Sequence, residues 1–187
     1  MFLNIPDDYE TIISATKKLS FNMNSDLYTG SLLKILAASK KSGRMLELGT
    51  GGGLATSWIR EGMDEKASLI TIENNSALLE IAKQLLTDTR IEFVLADGYD
   101  WITHYKGQKF DLIFADAMPG KYDLFEETIS LLESGGFYVI DDMLPQPNWP
   151  QGHAEKVNDF IDGLEKRKDL VLTKMNWSTG IIMAVKK

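Results

Sequence analysis

The stretch Leu46–Leu54, LELGTGGGL, constrains this chain more than any other. An apolar run leads directly into glycines at 49, 51, 52 and 53, and a helical pattern, Leu54–Gly62, follows. Strand, glycine turn and helix in that order make a loop that can hold a nucleotide-like ligand, because backbone without Cβ atoms can approach the ligand closely. The rest of the chain extends the pattern. Strands are expected at Met45–Leu48, Ser68–Glu73, Ile91–Leu95, Phe110–Ala115 and Phe137–Asp141, with helices near Ser76–Thr87, Tyr99–Tyr105 and Leu124–Leu132 between them. Such alternation implies parallel pairing. A helix near Ala154–Lys166 precedes two strands, Leu170–Met175 and Gly180–Val185, whose short connection suits an antiparallel hairpin at the sheet edge. Pro6–Leu19 and Leu27–Ser39 read as helices before the first strand. The expected fold is a Rossmann-like, doubly wound α/β sheet of seven strands with helices on both faces. It forms one domain over residues 1–187, with an N-terminal helical segment at 1–42 and a ligand-binding core at 43–187.

Charge separates the ligand classes such a loop could take. Counted from Gly49, a dinucleotide fingerprint requires glycine at 54, where Leu54 stands, and no lysine follows to make a Walker loop. Glu47, Glu73, Asp97 and Asp116 fall at or just after the ends of the first four strands, and in a doubly wound sheet those ends share one crevice. Four carboxylates repel a pyrophosphate. They suit a ligand with hydroxyls, an amine and a cationic centre, and S-adenosylmethionine has all three. Glu73 would accept from the ribose hydroxyls and Asp97–Gly98 would meet the adenine edge. The competing reading is plainer: the glycines make a tight turn, and Asp97 and Asp116 cap helices.

Composition narrows the setting. The 187 residues carry a net charge of −7, which disfavours unaided binding to nucleic acid. The absence of cysteine excludes disulfides and thiolate metal sites. MFLNIPDDYE does not read as a leader, and no run approaches the ~18 apolar residues of a membrane span. A soluble, cytoplasmic protein with no membrane partner is expected.

The chain resembles the class I S-adenosylmethionine-dependent methyltransferases, and within them the bacterial O-methyltransferases of the catechol and caffeoyl-CoA type. The resemblance runs from about Met23 to the C-terminus, through MNSDLYTGSLLKILA, LELGTGGGLATSW, LITIENN, VLADGYDWI, FDLIFADAMPGKY and GGFYVIDDML. It implies cofactor contacts at Glu47, Gly49, Thr50, Gly51, Gly53, Glu73, Asn74, Asp97, Gly98 and Asp116. Metal-dependent members of the family carry Asp-Ala-Asp-Lys after the fourth strand, the first Asp a ligand and the Lys a base. This chain has Asp116-Ala117-Met118-Pro119, so that base is missing. Lys121 either replaces it or lies on the surface, the latter slightly favoured. After the fifth strand, where the family shows Asp-Asn, stand Asp141-Asp142. Asp116, Asp141 and Asp142 would suit Mg²⁺ or a similar hard divalent cation, and their mutual repulsion without an ion would raise at least one pKa. Asp116, Asp141, Lys121 and His153 are the candidate catalytic residues.

Residues 142–153, DMLPQPNWPQGH, leave the fifth strand beside the crevice, and three prolines stiffen them. Met143, Leu144 and Trp149 are expected to wall an acceptor site, with Met118 and Tyr122 opposite; an ordered surface crossing is the alternative. The leading expectation is O-methylation of a small hydroxylated acceptor. A nitrogen- or tRNA-directed methyltransferase and a non-catalytic cofactor-binding module are the alternatives. Recognition of the acceptor falls to residues 1–42, to the proline loop or to a partner subunit, which would make a homodimer.

Overall fold

In the computed structural model, which describes residues 4–146 and 149–187, seven strands form one sheet in the order β3-β2-β1-β4-β5-β7-β6. The strands are β1 (Arg44–Leu48), β2 (Ser68–Glu73), β3 (Ile91–Leu95), β4 (Phe110–Ala115), β5 (Leu132–Ile140), β6 (Leu170–Met175) and β7 (Ile181–Lys186). β1 to β5 pair in parallel, and β7 runs antiparallel to both β5 and β6. The expected hairpin is present, with β7 inserted beside β5 and β6 at the edge. Pro147 and Asn148 of the proline loop and residues 1–3 of the N-terminal segment lie outside the described residues.

Among the described residues, seven helices cover the sheet: α1 (Tyr9–Lys18), α2 (Leu27–Ser39), α3 (Leu54–Gly62), α4 (Ser76–Leu85), α5 (Gly98–His104), α6 (Phe125–Ser130) and α7 (His153–Glu165). Strand alternation sorts the core onto two faces. Leu46, Leu48, Ile113, Tyr138 and Ile140 form one cluster with Ile129 of α6 and Val157 and Leu164 of α7. Met45, Leu112, Phe114 and Val139 form the other with Leu33 and Ala37 of α2 and Ile59 of α3.

β5 departs from expectation. It begins at Leu132 rather than Phe137, and the helix before it ends at Ser130 rather than Leu132. Its register against β4 slips between Phe110 and Leu112, and Gly135 stands at φ +77°. The Gly135–Gly136 pair breaks the apolar pattern that sequence reading needs, while the strand continues through it as an irregularity.

Candidate active site

The polypeptide reverses direction across the sheet between β1 and β4, and the loops at the C-terminal ends of β1 to β5 open there into a cleft of about 750 Å³. Gly49, Thr50, Gly51, Glu73, Asn74, Asp97, Gly98, Asp116, Asp141 and Asp142 all line it. Among the described residues, six carboxylates face this space (Asp26, Glu73, Asp97, Asp116, Asp141 and Asp142), and no lysine, arginine or histidine lines it. The cleft therefore favours a ligand carrying positive charge.

The glycine loop shows why its residues are small. Gly49 sits at φ +102°, and a Cβ there would come within 2.9 Å of the Asp116 carbonyl oxygen. The Gly49 and Thr50 amides both donate to the Ile72 carbonyl (3.0 and 3.1 Å), tying the loop to the end of β2. Glu73 ties it again. Its Oε2 accepts from the Gly51 amide at 2.8 Å, and its Oε1 from the amides of Asn74 and Asn75 at 3.0 and 2.9 Å. A carboxylate offers about four lone-pair sites, so only about one remains, on Oε2, for a ligand hydroxyl. Asp97 caps α5 through Oδ1, accepting from Tyr99 and Asp100, as the plainer reading anticipated; Asp116 caps nothing.

Glu47 and Gly53 do not line the cleft. Alternation along β1 turns the Glu47 side chain onto the face covered by α3, where its Oε2 accepts from the hydroxyls of Thr56 and Thr71 and its Oε1 is buried without a partner. Burial pushes the Glu47 carboxyl up to about 7, against the pull of the two threonine hydroxyls.

The other side of the cleft is organised around a residue that sequence reading left open between a replacement base and a surface lysine. Lys121 is buried, at 4% exposure. The turn before it is fixed by Gly120, at φ +88°, whose carbonyl accepts from the buried Tyr138 hydroxyl. The Lys121 ammonium consequently points inward and donates to Asp116 Oδ1 at 3.3 Å and Asp142 Oδ2 at 3.1 Å. Asp141 Oδ1 accepts from Thr179 Oγ1 at 2.6 Å and from the Asp142 amide at 2.7 Å. Burial raises Asp116 to about 8, opposed by Lys121 and reinforced by Asp141 and Asp142; burial likewise raises Asp141 to about 6. The direction matches the expected raised carboxyl, but burial rather than mutual repulsion is its first cause. The Lys121 ammonium is itself held above its ordinary range, since the attraction of the acids outweighs the burial that disfavours its charge.

Several expected wall residues lie elsewhere. Met143 is buried in the core, and Met143 and Leu144 run beside Thr179–Gly180, donating from their amides to the Gly180 and Thr179 carbonyls. Gly180 (φ +88°) permits that approach: a Cβ would meet Leu144 at 2.5 Å. Tyr122 packs against the rings of His153 and Phe160 and does not reach the cleft. His153 opens α7, wedged edge-on against Trp149 and Tyr122, and is likewise absent from the lining. Trp149 and Met118 do line it, together with Phe21 to Asp26 of the N-terminal segment, Gln146 of the proline loop, and two residues that sequence reading missed, Ser178 and Thr179.

Comparison with known proteins agrees with this architecture. Residues 9–178 match the O-methyltransferase family, and the chain belongs to that family. A protein of Mycobacterium sp. (strain KMS) named as a candidate O-methyltransferase is 31% identical over an alignment of 140 positions, with 70% of this chain and 64% of that relative covered. The chain thus spans under two-thirds of the length of that curated relative. Among solved structures, the O-methyltransferase TomG of Streptomyces achromogenes, involved in tomaymycin synthesis and crystallised with SAM, superposes with a TM-score of 0.86 at 22% identity, covering 100% of this chain and 92% of that one. An O-methyltransferase of Bacillus cereus in complex with SAH gives 0.85 at 21% identity, covering 99% and 94%. At these identities the likeness is one of fold. Among the described residues no helix is long and apolar enough to cross a membrane.

Proposed function

We propose that this chain, as one methyltransferase domain over residues 1–187, transfers a methyl group from S-adenosylmethionine to the hydroxyl of a small acceptor in the cytoplasm. The observation that carries the proposal is the cleft itself: a glycine turn tied to β2, flanked by carboxylates, with no cationic side chain in its lining. The residues fit the cofactor. Gly49 and Gly51 line the cleft without side chains beside the first turn of α3 (Leu54, Ala55), the remaining Glu73 Oε2 site suits a ribose hydroxyl, and the acidic field suits a sulfonium and an ammonium.

S-adenosylmethionine supplies an electrophilic methyl group; the acceptor oxygen gains it, the sulfur keeps the electron pair of the broken bond, and the acceptor proton must leave. In this reading Asp116 takes that proton at Oδ2, the oxygen not engaged by Lys121, and its raised pKa suits a base working near neutrality. Trp149, Met118 and the Phe21–Asp26 segment hold the acceptor against the donor, and positioning of this kind supplies about 7–11 kcal/mol of barrier reduction. A second copy of the chain would close the open side. The same acidic lining argues against a tRNA acceptor. Calorimetry should show S-adenosylhomocysteine binding and no NAD binding, and a panel of hydroxylated small molecules should give methylated product. NAD binding without S-adenosylhomocysteine binding would overturn the assignment; S-adenosylhomocysteine binding without turnover on any acceptor would leave a binding module.

A further inference from the structure

We propose that the Lys121 ammonium takes the place of the divalent cation that the family resemblance implies, so that the acceptor side of the cleft is built to work without a metal ion. The three carboxylates assigned to a metal do not fit one as they stand. Asp116 Oδ1 and Asp142 Oδ2 are bridged by the Lys121 ammonium at 3.3 and 3.1 Å, and a dication on those oxygens would have to share them with it. The third carboxylate has one oxygen committed elsewhere, because Asp141 Oδ1 accepts from Thr179 and from the Asp142 amide. Among the described residues, no group of three or more His, Cys, Asp and Glu side chains is arranged to hold a metal ion.

The chain is shaped to deliver this cation. Pro119 stands where the family's lysine would be, and the turn at Gly120, anchored by Tyr138, carries the next side chain inward beneath Asp116 and Asp142. Asp142 holds a left-handed backbone (φ +60°), a conformation that is strained for most residues and that Asp tolerates better than most. That strain is retained where the Asp142 carboxylate meets Lys121. Lys121 is absent from the cleft lining, so it acts as a positioning residue: it fixes Asp116 and Asp142 and offsets part of their charge, as a bound cation would.

The proposal rests on the methyltransferase reading for its consequence in turnover, but not for what fills the site. The test is Mn²⁺ titration followed by electron paramagnetic resonance, with S-adenosylhomocysteine affinity measured in parallel with and without EDTA. The wild-type protein should bind no stoichiometric Mn²⁺ at millimolar concentration, and its S-adenosylhomocysteine affinity should change by less than twofold with EDTA. Lys121→Ala should gain Mn²⁺ affinity by at least tenfold, and Lys121→Ala with Asp142→Asn should lose that gain. A lysine with a merely structural role would not be replaced by a metal on removal. Stoichiometric Mn²⁺ on the wild-type protein that Asp142→Asn weakens would overturn the proposal, as would a folded Lys121→Ala protein that gains none. Should Lys121→Ala fail to fold, the wild-type titration still decides. Failure to bind S-adenosylhomocysteine at all would count instead against the methyltransferase reading.

Discussion

Two acidic clusters face each other across one cleft, and they balance their charge differently. On the side of β1 to β3, Glu73 and Asp97 accept from backbone amides, and Glu47, behind that wall and out of the cleft, accepts from threonine hydroxyls through one oxygen; among the described residues none of the three joins an ion pair. On the side of β4 and β5, Asp116 and Asp142 share a buried ammonium. The first cluster leaves negative potential for an incoming cation to use, whereas the second is already part-neutralised. In the proposed reaction, a cleft built this way would separate a donor side, which attracts a charged ligand, from an acceptor side, which presents a reacting oxygen without holding a positive ligand of its own.

The largest effect expected from this asymmetry is a pH dependence. Glu47 ordinarily titrates near 4.5 and is raised to about 7 in the fold, so the folded protein binds its proton more tightly than the unfolded chain does. Stability from that proton is complete below about 4.5 and is lost as pH rises through about 7, a change on the order of 3 kcal/mol. Asp116 and Asp141 are also raised and add to the same downward slope. Chemical denaturation of the wild-type protein should therefore show stability falling between pH 5 and 8. Glu47→Gln should flatten part of that fall while keeping an acceptor for Thr56 and Thr71. An unchanged slope in the variant would mean that Glu47 is ionised in the fold and that the donor side finds its balance in some other way.

A middle-sized effect tests how the donor side is held. Glu73 fixes the glycine loop through the Gly51 amide and keeps about one acceptor site for a ligand. Glu73→Ala should weaken S-adenosylhomocysteine binding by roughly 1.5–3 kcal/mol, the range for hydrogen bonds to a charged group. Glu73→Gln should recover less than half of the loss, since its amide retains one acceptor oxygen but not the charge. Equal affinities for wild type and alanine variant by calorimetry would show that the loop holds its shape through the Ile72 carbonyl alone.

The same contrast explains what could be read from sequence. The donor side follows the strand–loop pattern: the glycines and Glu73 sit directly at the ends of β1 and β2, and β2, β3 and β4 have the expected bounds because no glycine or proline interrupts them. The acceptor side is assembled from distant pieces. Thr179 reaches Asp141 from 38 residues away, and Tyr138 sets the Gly120 turn from 18. Nothing in GKYD indicates that Lys121 points inward, because its direction is set by that remote hydroxyl. Phe21 to Asp26 carry no periodic pattern, and only their packing beside Gly51 brings them to the cleft.

The smallest effect concerns the outer wall of the acceptor side. Trp149 lines the cleft, half-buried, with its ring edge-on to His153 at 4.7 Å between centroids. Pro150 follows it directly and restricts its backbone, so less ordering entropy remains to be lost on binding. A flat apolar ring suits a planar acceptor, and an aromatic contact of this kind contributes about 1 kcal/mol beyond the area it buries. Trp149→Ala should therefore lower kcat/KM for the true acceptor several-fold, while S-adenosylhomocysteine affinity, set on the other side of the cleft, stays within twofold of wild type. His153→Ala should produce a weaker version of the same change, because His153 touches Trp149 and does not line the cleft. If both variants instead reduce cofactor affinity and leave the acceptor's KM untouched, the two sides are not separate, and recognition of the acceptor moves to Phe21–Asp26.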